Sequence, residues 1–546
     1  MKEILMKKTV LLLLAVCAFL SSFAQFQRPK LVVGIVVDQM RWDYLYRYYN
    51  KYSNGGFKRL LKEGYSCENT LINYLPAYTA VGHSTIFTGS VPSIDGIAGN
   101  SWRIQNSGKT TYCTDDSTVS TVGATGNAGK MSPHNLWVTT ITDELRLATN
   151  FKSKVIGVSL KDRAAILPAG HNPTGAFWLD DSSGNFVTST YYRNDLPSWV
   201  NIFNQEKNIP KLIKNGWNTL LPIAKYTEST KDNEPWEGEV KGAKTPTFPF
   251  NLVKAYSLDK ESFRQTPFGN TLTLAFAEAA INGEKLGEND CTDFLTVNCA
   301  STDYVGHMVG PNSIEVEDVY LRLDKELQEF FKYLDNKIGR GNYLVFLTAD
   351  HGGAHSEGFM RENKMPTGFF PNLTKSLNNY LQTQFGVDKL VLDAENFEVS
   401  FDNKKIELNK LDKEKIKTSS INFLQKQKGV LCAIDETRAA TASIPTAIKE
   451  MIINGYNRER SGDIKIILQS GFLPDNYKTG TSHGLWNAYD THIPLIFMGW
   501  KIPHGATNKT VYMTDIAPTI SALLHIQMPS GCIGKPITQL TNVVNE

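Results

Sequence analysis

The sequence predicts an α/β protein: an α/β/α sandwich with a largely parallel central sheet, a loop-rich cap and a smaller α+β insertion. Five continuous apolar runs rich in β-branched residues are typical of strands buried on both faces of a sheet. These runs are Leu31–Val37, Val155–Val158, Phe294–Val297, Tyr343–Leu347 and Pro494–Met498. Helical spacing of apolar residues predicts a helix from Ser313 to Ile338, between the third and fourth runs. Strands alternating with helices favour a parallel sheet covered on both sides.

Two regions interrupt this alternation. The first insertion, about residues 180–265, is rich in Asn, Lys, Trp, Thr and Pro, which predicts loops and short helices over the sheet and could define a substrate pocket. The second insertion, about residues 369–474, is Lys-rich and contains the alternating segment Phe397–Phe401 and the β-like run Ile464–Leu468. We expect one catalytic unit over residues 25–546, interrupted by these two insertions.

The composition is that of a globular protein, with 41% hydrophobic and 21% charged residues among 546. It excludes collagen-like, coiled-coil and disordered chains. Residues after 24 include 54 basic and 54 acidic side chains. A net charge of zero argues against nucleic-acid binding, which requires a basic surface, but it allows a local site for a small anion.

The N-terminus has the pattern of a secretory signal peptide over residues 1–24. Two lysines precede the apolar run Val10–Leu20, and small residues follow at Ser22–Ala24. A membrane anchor is one alternative, but the run is short for a span of about 20 residues; a lipoprotein modified at Cys17 is another. We expect an exported, periplasmic or secreted protein without a membrane span after cleavage, and favour a monomer.

Six cysteines follow the leader, and their spacing is irregular. They are Cys67, Cys113, Cys291, Cys299, Cys432 and Cys532. An even number in an exported chain permits disulfides, although burial as small hydrophobic residues is equally compatible. The spacing supports neither a zinc ribbon nor a redox motif, and no pairing is assigned.

Acidic residues and histidines stand where the apolar runs end. These candidate metal ligands are Asp38, Asp303, His307, Asp350, His351 and His483. Open α/β sheets bind ligands beyond the carboxyl ends of their strands, so these side chains could converge. Three aspartates and three histidines divide into two sites, one richer in carboxylate and one richer in imidazole. Mixed oxygen and nitrogen ligation suits zinc and leaves coordination positions for a substrate.

Each candidate ligand has a simpler interpretation. A single aspartate after a strand, such as Asp38, is more often a helix cap or turn residue. The adjacent donors Asp350 and His351 are more specific because they can bind one ion from a turn. His355 is an alternative ligand, and the other histidines, His83 among them, are interpreted as structural.

Thr79 is the candidate nucleophile. The segment Leu75–Ser84 has the pattern of an extended entry into a helix, and a helix N-terminus binds phosphate through its free N–H groups and dipole. The alternative is that Thr79 is only an N-cap. A neighbouring metal would lower the pKa of the hydroxyl and make it a usable nucleophile.

Three more residues are candidates for binding a phosphoryl group. Asn100 follows a glycine-rich turn and could donate from its amide. Lys161 and Arg163 follow a strand and are separated by one residue, so on an extended segment they would point to the same side and suit a dianion. The alternatives are a turn asparagine and a solvated basic turn.

The ordered motifs resemble those of the alkaline phosphatase superfamily. They are Val36-Val37-Asp38, Pro76-Ala77-Tyr78-Thr79, Gly99-Asn100, Ser301-Thr302-Asp303-Tyr304-Val305-Gly306-His307, Ala349-Asp350-His351-Gly352 and Thr481-Ser482-His483-Gly484. The resemblance covers the chain from about residue 30 to 540. It is strongest to the exported, phosphate-irrepressible alkaline phosphatases of flavobacteria, which are similar at Ser159–Arg163.

The resemblance implies a two-zinc phosphomonoesterase that acts on small phosphate monoesters. It implies that one zinc is held by Asp303, His307 and His483, and the other by Asp38, Asp350 and His351. Thr79 would form a covalent phosphothreonine, while Asn100, Lys161 and Arg163 would bind the non-bridging oxygens. The better-known bacterial alkaline phosphatases use a serine and a magnesium site, whereas this chain has no clear third-metal set.

Two other functions compete with this interpretation. A nucleotide pyrophosphatase/phosphodiesterase resembles the chain in Thr79, Asn100 and all six ligands. Lys161 and Arg163 favour a monoester, because a diester has one fewer negative charge and a second substituent. A non-catalytic phosphate-binding or metal-binding module is the third possibility, and the complete ligand set argues against it.

Overall fold

The computed structural model describes Met6 and residues 27–541. Apart from Met6, the predicted leader lies outside the described residues. The described strands are β1 (Leu31–Val37), β2 (Tyr65–Leu71), β3 (Ser101–Arg103), β4 (Thr110–Tyr112), β5 (Thr121–Val122), β6 (Val155–Ser159), β7 (Gly175–Asp180), β8 (Asn185–Ser189), β9 (Asp293–Cys299), β10 (Tyr343–Thr348), β11 (Gly368–Phe370), β12 (Val391–Asp393), β13 (Glu398–Phe401), β14 (Val430–Asp435), β15 (Ile464–Leu468), β16 (Phe472–Pro474), β17 (His492–Ile493), β18 (Leu495–Gly499) and β19 (Gly505–Tyr512).

The α-helices lie largely between these strands along the chain. Within the described residues they are α1 (Tyr44–Arg47), α2 (Phe57–Glu63), α3 (Thr79–Thr88), α4 (Pro92–Asp95), α5 (Ile141–Ala148), α6 (Asp162–Ala169), α7 (Ser198–Gln205), α8 (Asn208–Ile213), α9 (Leu252–Leu258), α10 (Phe268–Glu284), α11 (Ser301–Val309), α12 (Ile314–Leu334), α13 (Glu357–Glu362), α14 (Thr374–Phe385), α15 (Asn403–Leu408), α16 (Lys413–Leu424), α17 (Thr446–Gly455), α18 (Ala488–Thr491), α19 (Ile516–Leu524) and α20 (Thr538–Thr541).

The largest sheet in the described part of the chain has 11 strands. Its order is β17-β2-β18-β10-β1-β9-β6-β7-β8-β5, with β19 paired to β2. The central strands β10, β1, β9, β6 and β7 are parallel. This arrangement confirms the predicted fold class. The last predicted run forms β18, which is antiparallel to β10, because an apolar run indicates burial but carries no information on strand direction.

The register of the central strands brings their carboxyl ends to one edge. Val36 of β1 pairs with Thr348 of β10, and Val37 pairs with Cys299 of β9. All three strands are buried along their whole length, as expected of a parallel sheet covered on both faces. Residues that follow these strands therefore meet at the same place.

The predicted long helix is α12. The Ser313 side chain caps it by accepting a hydrogen bond from the Val316 N–H, and acidic residues in the first turn suit the positive end of the helix dipole. The α-helix ends at Leu334, earlier than predicted, and the chain continues in a short π-helical turn, Asp335–Gly339.

The second insertion contains a sheet and an apolar cluster of its own. The sheet has the order β12-β13-β15-β14, and the cluster includes Val399, Phe401 and Ile464. The first insertion is rich in loops and short helices, as predicted. It also contributes β8, an antiparallel strand beside β7.

The six cysteines in the described part of the chain are free thiols. Burial raises the pKa of Cys67 and of Cys113 to about 12, so these two side chains remain protonated and pack as small hydrophobic residues. A search of the described residues finds no helix that is both long and apolar enough to cross a membrane.

Candidate active site

Three aspartates mark the edge of the sheet where the parallel strands end. Asp38 directly follows β1, Asp350 stands two residues after β10, and Asp303 lies in the first turn of α11, just beyond β9. The first two are fully buried and Asp303 is 4% exposed. The alignment of β1, β9 and β10 therefore concentrates negative charge at one buried place.

The six predicted metal ligands lie in two adjoining groups. Site A consists of Asp38, Asp350 and His351, and site B consists of Asp303, His307 and His483. Within each site, one ligand atom of every residue lies within 4.8 Å of the others. The ring centroids of His351 and His483 are only 3.5 Å apart, so the two sites are neighbours.

Backbone carbonyls orient the three histidines. Nδ1 lies 2.9 Å from Gly352 O in His351, 2.9 Å from Thr481 O in His307 and 2.8 Å from Ala77 O in His483. Because a carbonyl only accepts hydrogen bonds, each Nδ1 must carry the proton that it donates. In the neutral rings, Nε2 is left with its lone pair facing the carboxylates, as metal ligation requires.

Lys161 lies between sites A and B. Its Nζ is 2.8 Å from Asp38 Oδ2 and 2.7 Å from Asp303 Oδ2. Burial opposes the charge, but the two carboxylates outweigh it and raise the pKa of Lys161 above its usual value. For Asp303, burial would raise the pKa, but Lys161 and His307 lower it well below its usual value.

The donors of the two sites fit metal ions. At site A, Asp38 Oδ1 and Asp350 Oδ2 are buried without a hydrogen-bond partner in the described chain, whereas buried carboxylate oxygens are normally paired. Burial and the nearby Asp38 raise the pKa of Asp350 well above its usual value. A cation would relieve this unfavourable charge. One carboxylate and two imidazoles at site B are also a common metal-binding set.

Thr79 is the first residue of α3, and its hydroxyl does not cap the helix. Tyr78 occupies the N-cap position, and its side chain makes no capping bond to the helix. Thr79 Oγ1 lies 3.5 Å from His351 Nε2 of site A. Gly82, three residues further along α3, lets the helix lie this close to the Asp350–His351 segment, because a Cβ there would lie 2.3 Å from Asp350 O. The hydroxyl thus stands at a helix N-terminus beside site A.

Asn100 is fixed relative to the start of α3. Its Oδ1 accepts a hydrogen bond of 2.9 Å from the Ala80 N–H. The amide Nδ2 is the group left to donate to an anion bound near Thr79. The predicted nucleophile and the predicted amide donor are therefore brought together.

Lys161 and Arg163 do not share an extended segment, contrary to the prediction. Lys161 is the extended N-cap residue of α6, whereas Arg163 already lies in its first turn. The helix begins at Asp162, an acidic residue that suits the positive end of its dipole. Arg163 Nη1 donates to Tyr112 Oη at 3.0 Å, and that hydroxyl donates to Asp162 Oδ1 at 2.6 Å. The guanidinium is therefore oriented by this hydrogen-bonded network and not by the alternation of side chains along an extended segment.

Two residues beside the sites were missed by the sequence analysis. Gln39 Nε2 donates to Asp303 Oδ1 at 2.7 Å. His83, interpreted as structural, has Nδ1 2.9 Å from Thr79 O and 3.5 Å from Asp350 Oδ2, and burial lowers its pKa to about 4. The four-residue spacing from Thr79 to His83 on one helix could have indicated that the two side chains are neighbours. No sequence signal indicated Gln39.

The alternative ligand His355 lies outside both sites. Its Nδ1 is 2.6 Å from Asn312 Oδ1, and its Nε2 is 3.1 Å from Arg41 Nη1. Burial and the Arg41 charge lower its pKa to about 3. It packs beside the sites as a neutral, hydrogen-bonded ring.

A cavity of about 470 Å³ opens beside site B. Asn100, His307 and His483 form one side of it. It is also lined by Phe370, Leu373, Asn396 and Phe397 of the second insertion and by Asp475 and Tyr477, which follow that insertion. The described residues that line it include none of the first insertion, the region that could have defined a substrate pocket. The second insertion supplies much of the cavity lining.

The second insertion also holds the loop that carries Asn100. The guanidinium of Arg460 lies 4.9 Å from the Trp102 ring centroid and 4.0 Å from that of Trp137, distances typical of cation–π contacts. It also donates to Gly96 O at 2.7 Å. Asn396 Nδ2 adds a hydrogen bond of 2.8 Å to Ser101 O.

Asp490 joins the loops that carry His351 and His483. Its Oδ2 accepts from the Leu485 N–H at 2.9 Å, and its carbonyl accepts from the Gly352 N–H at 2.7 Å. Burial raises the pKa of Asp490 from 3.8 to about 8. The folded protein therefore retains a proton that the unfolded chain releases near pH 4.

We expect Asp490→Asn to change the free energy of unfolding more favourably at alkaline pH than at acidic pH. The stability from the raised pKa is fully present below about pH 4 and declines as pH rises to about 8, at about 1.4 kcal/mol per pH unit. Asparagine mimics the protonated acid and avoids this decline. Denaturant unfolding at pH 5 and pH 9 measures the difference. Asp388→Asn, at an exposed position, is the control. If Asp490→Asn changed the free energy of unfolding by the same amount at pH 5 and at pH 9, the prediction would be wrong.

Comparison with known proteins defines the class. The family model "Type I phosphodiesterase / nucleotide pyrophosphatase" matches residues 32–492. The chain therefore belongs to this family, within the alkaline phosphatase superfamily.

Closer similarity is found to individual enzymes. Alkaline phosphatase PafA from Elizabethkingia meningoseptica is 60% identical over 517 residues, 94% of each chain. Alkaline phosphatase PhoV from Synechococcus elongatus is 56% identical over 515 residues, covering 94% of this chain and 93% of the relative. The crystal structure of PafA superposes with a TM-score of 0.94 at 59% identity, covering 95% of this chain and all of that one. The predicted superfamily and enzyme class, alkaline phosphatase, are thereby confirmed.

Proposed function

We propose that this enzyme hydrolyses small phosphate monoesters to an alcohol and inorganic phosphate through a covalent phosphothreonine at Thr79. The observation that carries the proposal is the position of the Thr79 hydroxyl. It stands at the N-terminus of α3, 3.5 Å from His351 Nε2, and makes no capping bond. High identity to enzymes named alkaline phosphatases supports action on monoesters.

We infer that site A and site B each bind one zinc ion. Mixed carboxylate and neutral imidazole ligands support zinc over harder cations, which prefer oxygen alone. The unpartnered oxygens of Asp38 and Asp350 support a cation at site A. When bound, two zinc ions would supply Lewis-acid charge at both ends of an in-line displacement.

In the first step, Thr79 loses its hydroxyl proton and a bond forms from Oγ1 to phosphorus as the bond from phosphorus to the leaving oxygen breaks; that oxygen takes up a proton to give the alcohol. The N–H groups and dipole of α3 favour the anionic phosphoryl group at this position. Asn100 donates to a non-bridging oxygen, and Lys161 and Arg163 match the charge of the dianion. In the second step, water attacks phosphorus and Thr79 Oγ1 leaves, which regenerates the hydroxyl.

We further propose the organisation and location of the protein. Residues 1–24 direct export, and residues 25–546 form one catalytic domain with insertions at about 180–265 and 369–474. The mature protein acts as a monomer in the periplasm or as a secreted enzyme. Alignment with PafA over 94% of both chains supports a single unit.

Phosphodiester hydrolysis is the second candidate, since the matching family model is named for it. The two cations argue against it as the main reaction. Lys161 is held between the sites and Arg163 is fixed by Tyr112. A diester offers these cations less charge and adds a second substituent.

A comparison of p-nitrophenyl phosphate with bis-p-nitrophenyl phosphate tests the proposal, on protein whose zinc content is measured. We expect kcat/KM for the monoester to be higher by about 10²-fold or more, because each charged hydrogen bond contributes about 1.5–3 kcal/mol. Removal of metal by a chelator should abolish the reaction, and added zinc should restore it. Equal or reversed kcat/KM values would contradict the monoesterase assignment.

A further inference from the structure

Gln39 contacts one carboxylate from each site without belonging to either. Its backbone N–H donates to Asp350 Oδ1 of site A at 3.2 Å. Its side-chain Nε2 donates to Asp303 Oδ1 of site B at 2.7 Å. The residue is only 5% exposed. A single neutral residue thus links the two ligand sets.

The backbone conformation of Gln39 makes this double contact possible. Its φ is +60°, in the left-handed region that residues with a Cβ rarely adopt. Conformations of this kind persist where surrounding contacts enforce them, often at functional sites. The turn directs the N–H toward site A and the side chain toward site B.

The motif that supplies site B leaves space for this side chain. Gly306 lies between Asp303 and His307 in α11, and a Cβ at that position would lie 2.1 Å from Gln39 Oε1. A larger residue would displace the Gln39 amide. The absence of a side chain at Gly306 therefore leaves the space that the Gln39 amide occupies.

Gln39 acts on the oxygen of Asp303 that faces the imidazoles. Oδ1 lies 3.2 Å from His307 Nε2 and 3.8 Å from His483 Nε2, whereas Oδ2 accepts from Lys161. A carboxylate oxygen has two lone pairs, so it can accept from an amide and also bind an ion. A neutral donor orients this oxygen without adding positive charge beside a cation.

We propose that Gln39 is a positioning residue for the metal ligands, which holds Asp303 in the orientation that binds the ion of site B. The inference rests on the proposed two-metal function. Partners that orient metal ligands typically contribute 10- to 100-fold to metal affinity. Site A retains the backbone N–H when the side chain is changed, so the effect is concentrated on site B.

Zinc retention by the holoenzyme of Gln39→Met tests the proposal, because methionine keeps the side-chain length and removes the donor. A chromophoric chelator titrates zinc from the loaded protein, and elemental analysis counts the ions that remain. We expect one of two ions to be released at a chelator concentration about 10- to 100-fold lower than in the wild type. Gln105→Met is the control, because it removes a partly buried amide that donates to the Ser461 carbonyl. It should release zinc as the wild type does.

Gly306→Ala provides a second test with Gln39 present. Its methyl group displaces the amide, so early release of one ion should recur. Combining it with Gln39→Met should cause little additional loss, because both changes break one contact. This variant also decides the question if Gln39→Met does not fold.

Wild-type zinc release by both variants would overturn the positioning role. Lower thermal stability of the metal-free protein with unchanged zinc release would mean that Gln39 is only structural. A wild-type protein that binds no zinc would overturn the two-metal function and this inference with it.

Discussion

Thr79→Ala is expected to reduce phosphate-monoester turnover by at least about 10⁴-fold, the scale of loss when a nucleophile is removed. Thr79 is 1% exposed and its hydroxyl lies beside site A, where the described residues offer no second hydroxyl in hydrogen-bond contact with His351. Alanine leaves both ligand sets intact, so zinc content should equal that of the wild type. Steady-state kinetics together with elemental analysis separate a lost nucleophile from a lost metal.

Two variants serve as controls for this result. Thr79→Ser retains a hydroxyl and should keep far more activity than Thr79→Ala. Thr88→Ala removes a buried hydroxyl from the same helix, where Oγ1 donates to Ser84 O at 2.7 Å, and should leave turnover close to wild type. Acid quenching during turnover should trap phosphate on the wild-type and Thr88→Ala chains but not on Thr79→Ala. More than a tenth of wild-type turnover in Thr79→Ala would exclude the covalent mechanism.

Arg163→Ala should reduce monoester kcat/KM by about 10²- to 10³-fold, and diester kcat/KM much less. The reason is charge: the guanidinium meets a dianionic group in a monoester and a less charged, more hindered group in a diester. A charged hydrogen bond contributes about 1.5–3 kcal/mol, and more where water is excluded. The ratio of the two kcat/KM values is the measurement, because a general loss of folding lowers both equally.

Lys161→Ala should shift the same ratio, with an additional effect on the metal sites. Its ammonium contacts Asp38 and Asp303, so its removal leaves two buried carboxylates without their shared cation. Zinc content must therefore be measured beside the kinetics. Arg146→Ala, on the neighbouring helix α5, is the control cation and should leave the ratio unchanged. Equal losses for both substrates in Arg163→Ala would show that charge matching does not discriminate between them.

The sheet and the ligand groups were predictable from sequence because their signals are local. Apolar runs located β1, β6, β9 and β10 to within two residues at each end, and β1 begins and ends where predicted, whereas β7 was not predicted. Parallel strands that end in register then bring residues such as Asp38 and Asp350 together. Strand direction was not predictable for β18, because its pairing depends on distant segments.

The features that were predicted wrongly or missed depend on contacts between residues far apart in the chain, which a sequence pattern does not contain. Arg163 is oriented by Tyr112, about fifty residues earlier in the chain. Gln39 has a backbone conformation that is usual for glycine, so no propensity indicates it. Much of the cavity lining comes from the second insertion, and only the folded chain shows which insertion lies beside the ligands.

The backbone anchors of the three histidines protect the sites against mutation. In many metal proteins a carboxylate side chain orients each ligating histidine, and one base change can remove it. Here the acceptors are the carbonyls of Gly352, Thr481 and Ala77, and every amino acid supplies a carbonyl. Substitutions at these positions keep the acceptor and change ring orientation only if they move the backbone, as a Cβ at Gly352, 2.1 Å from Tyr489 O, would do. The Nδ1 contacts that orient the rings in this enzyme are thus set by the course of the backbone and need no particular acceptor side chain.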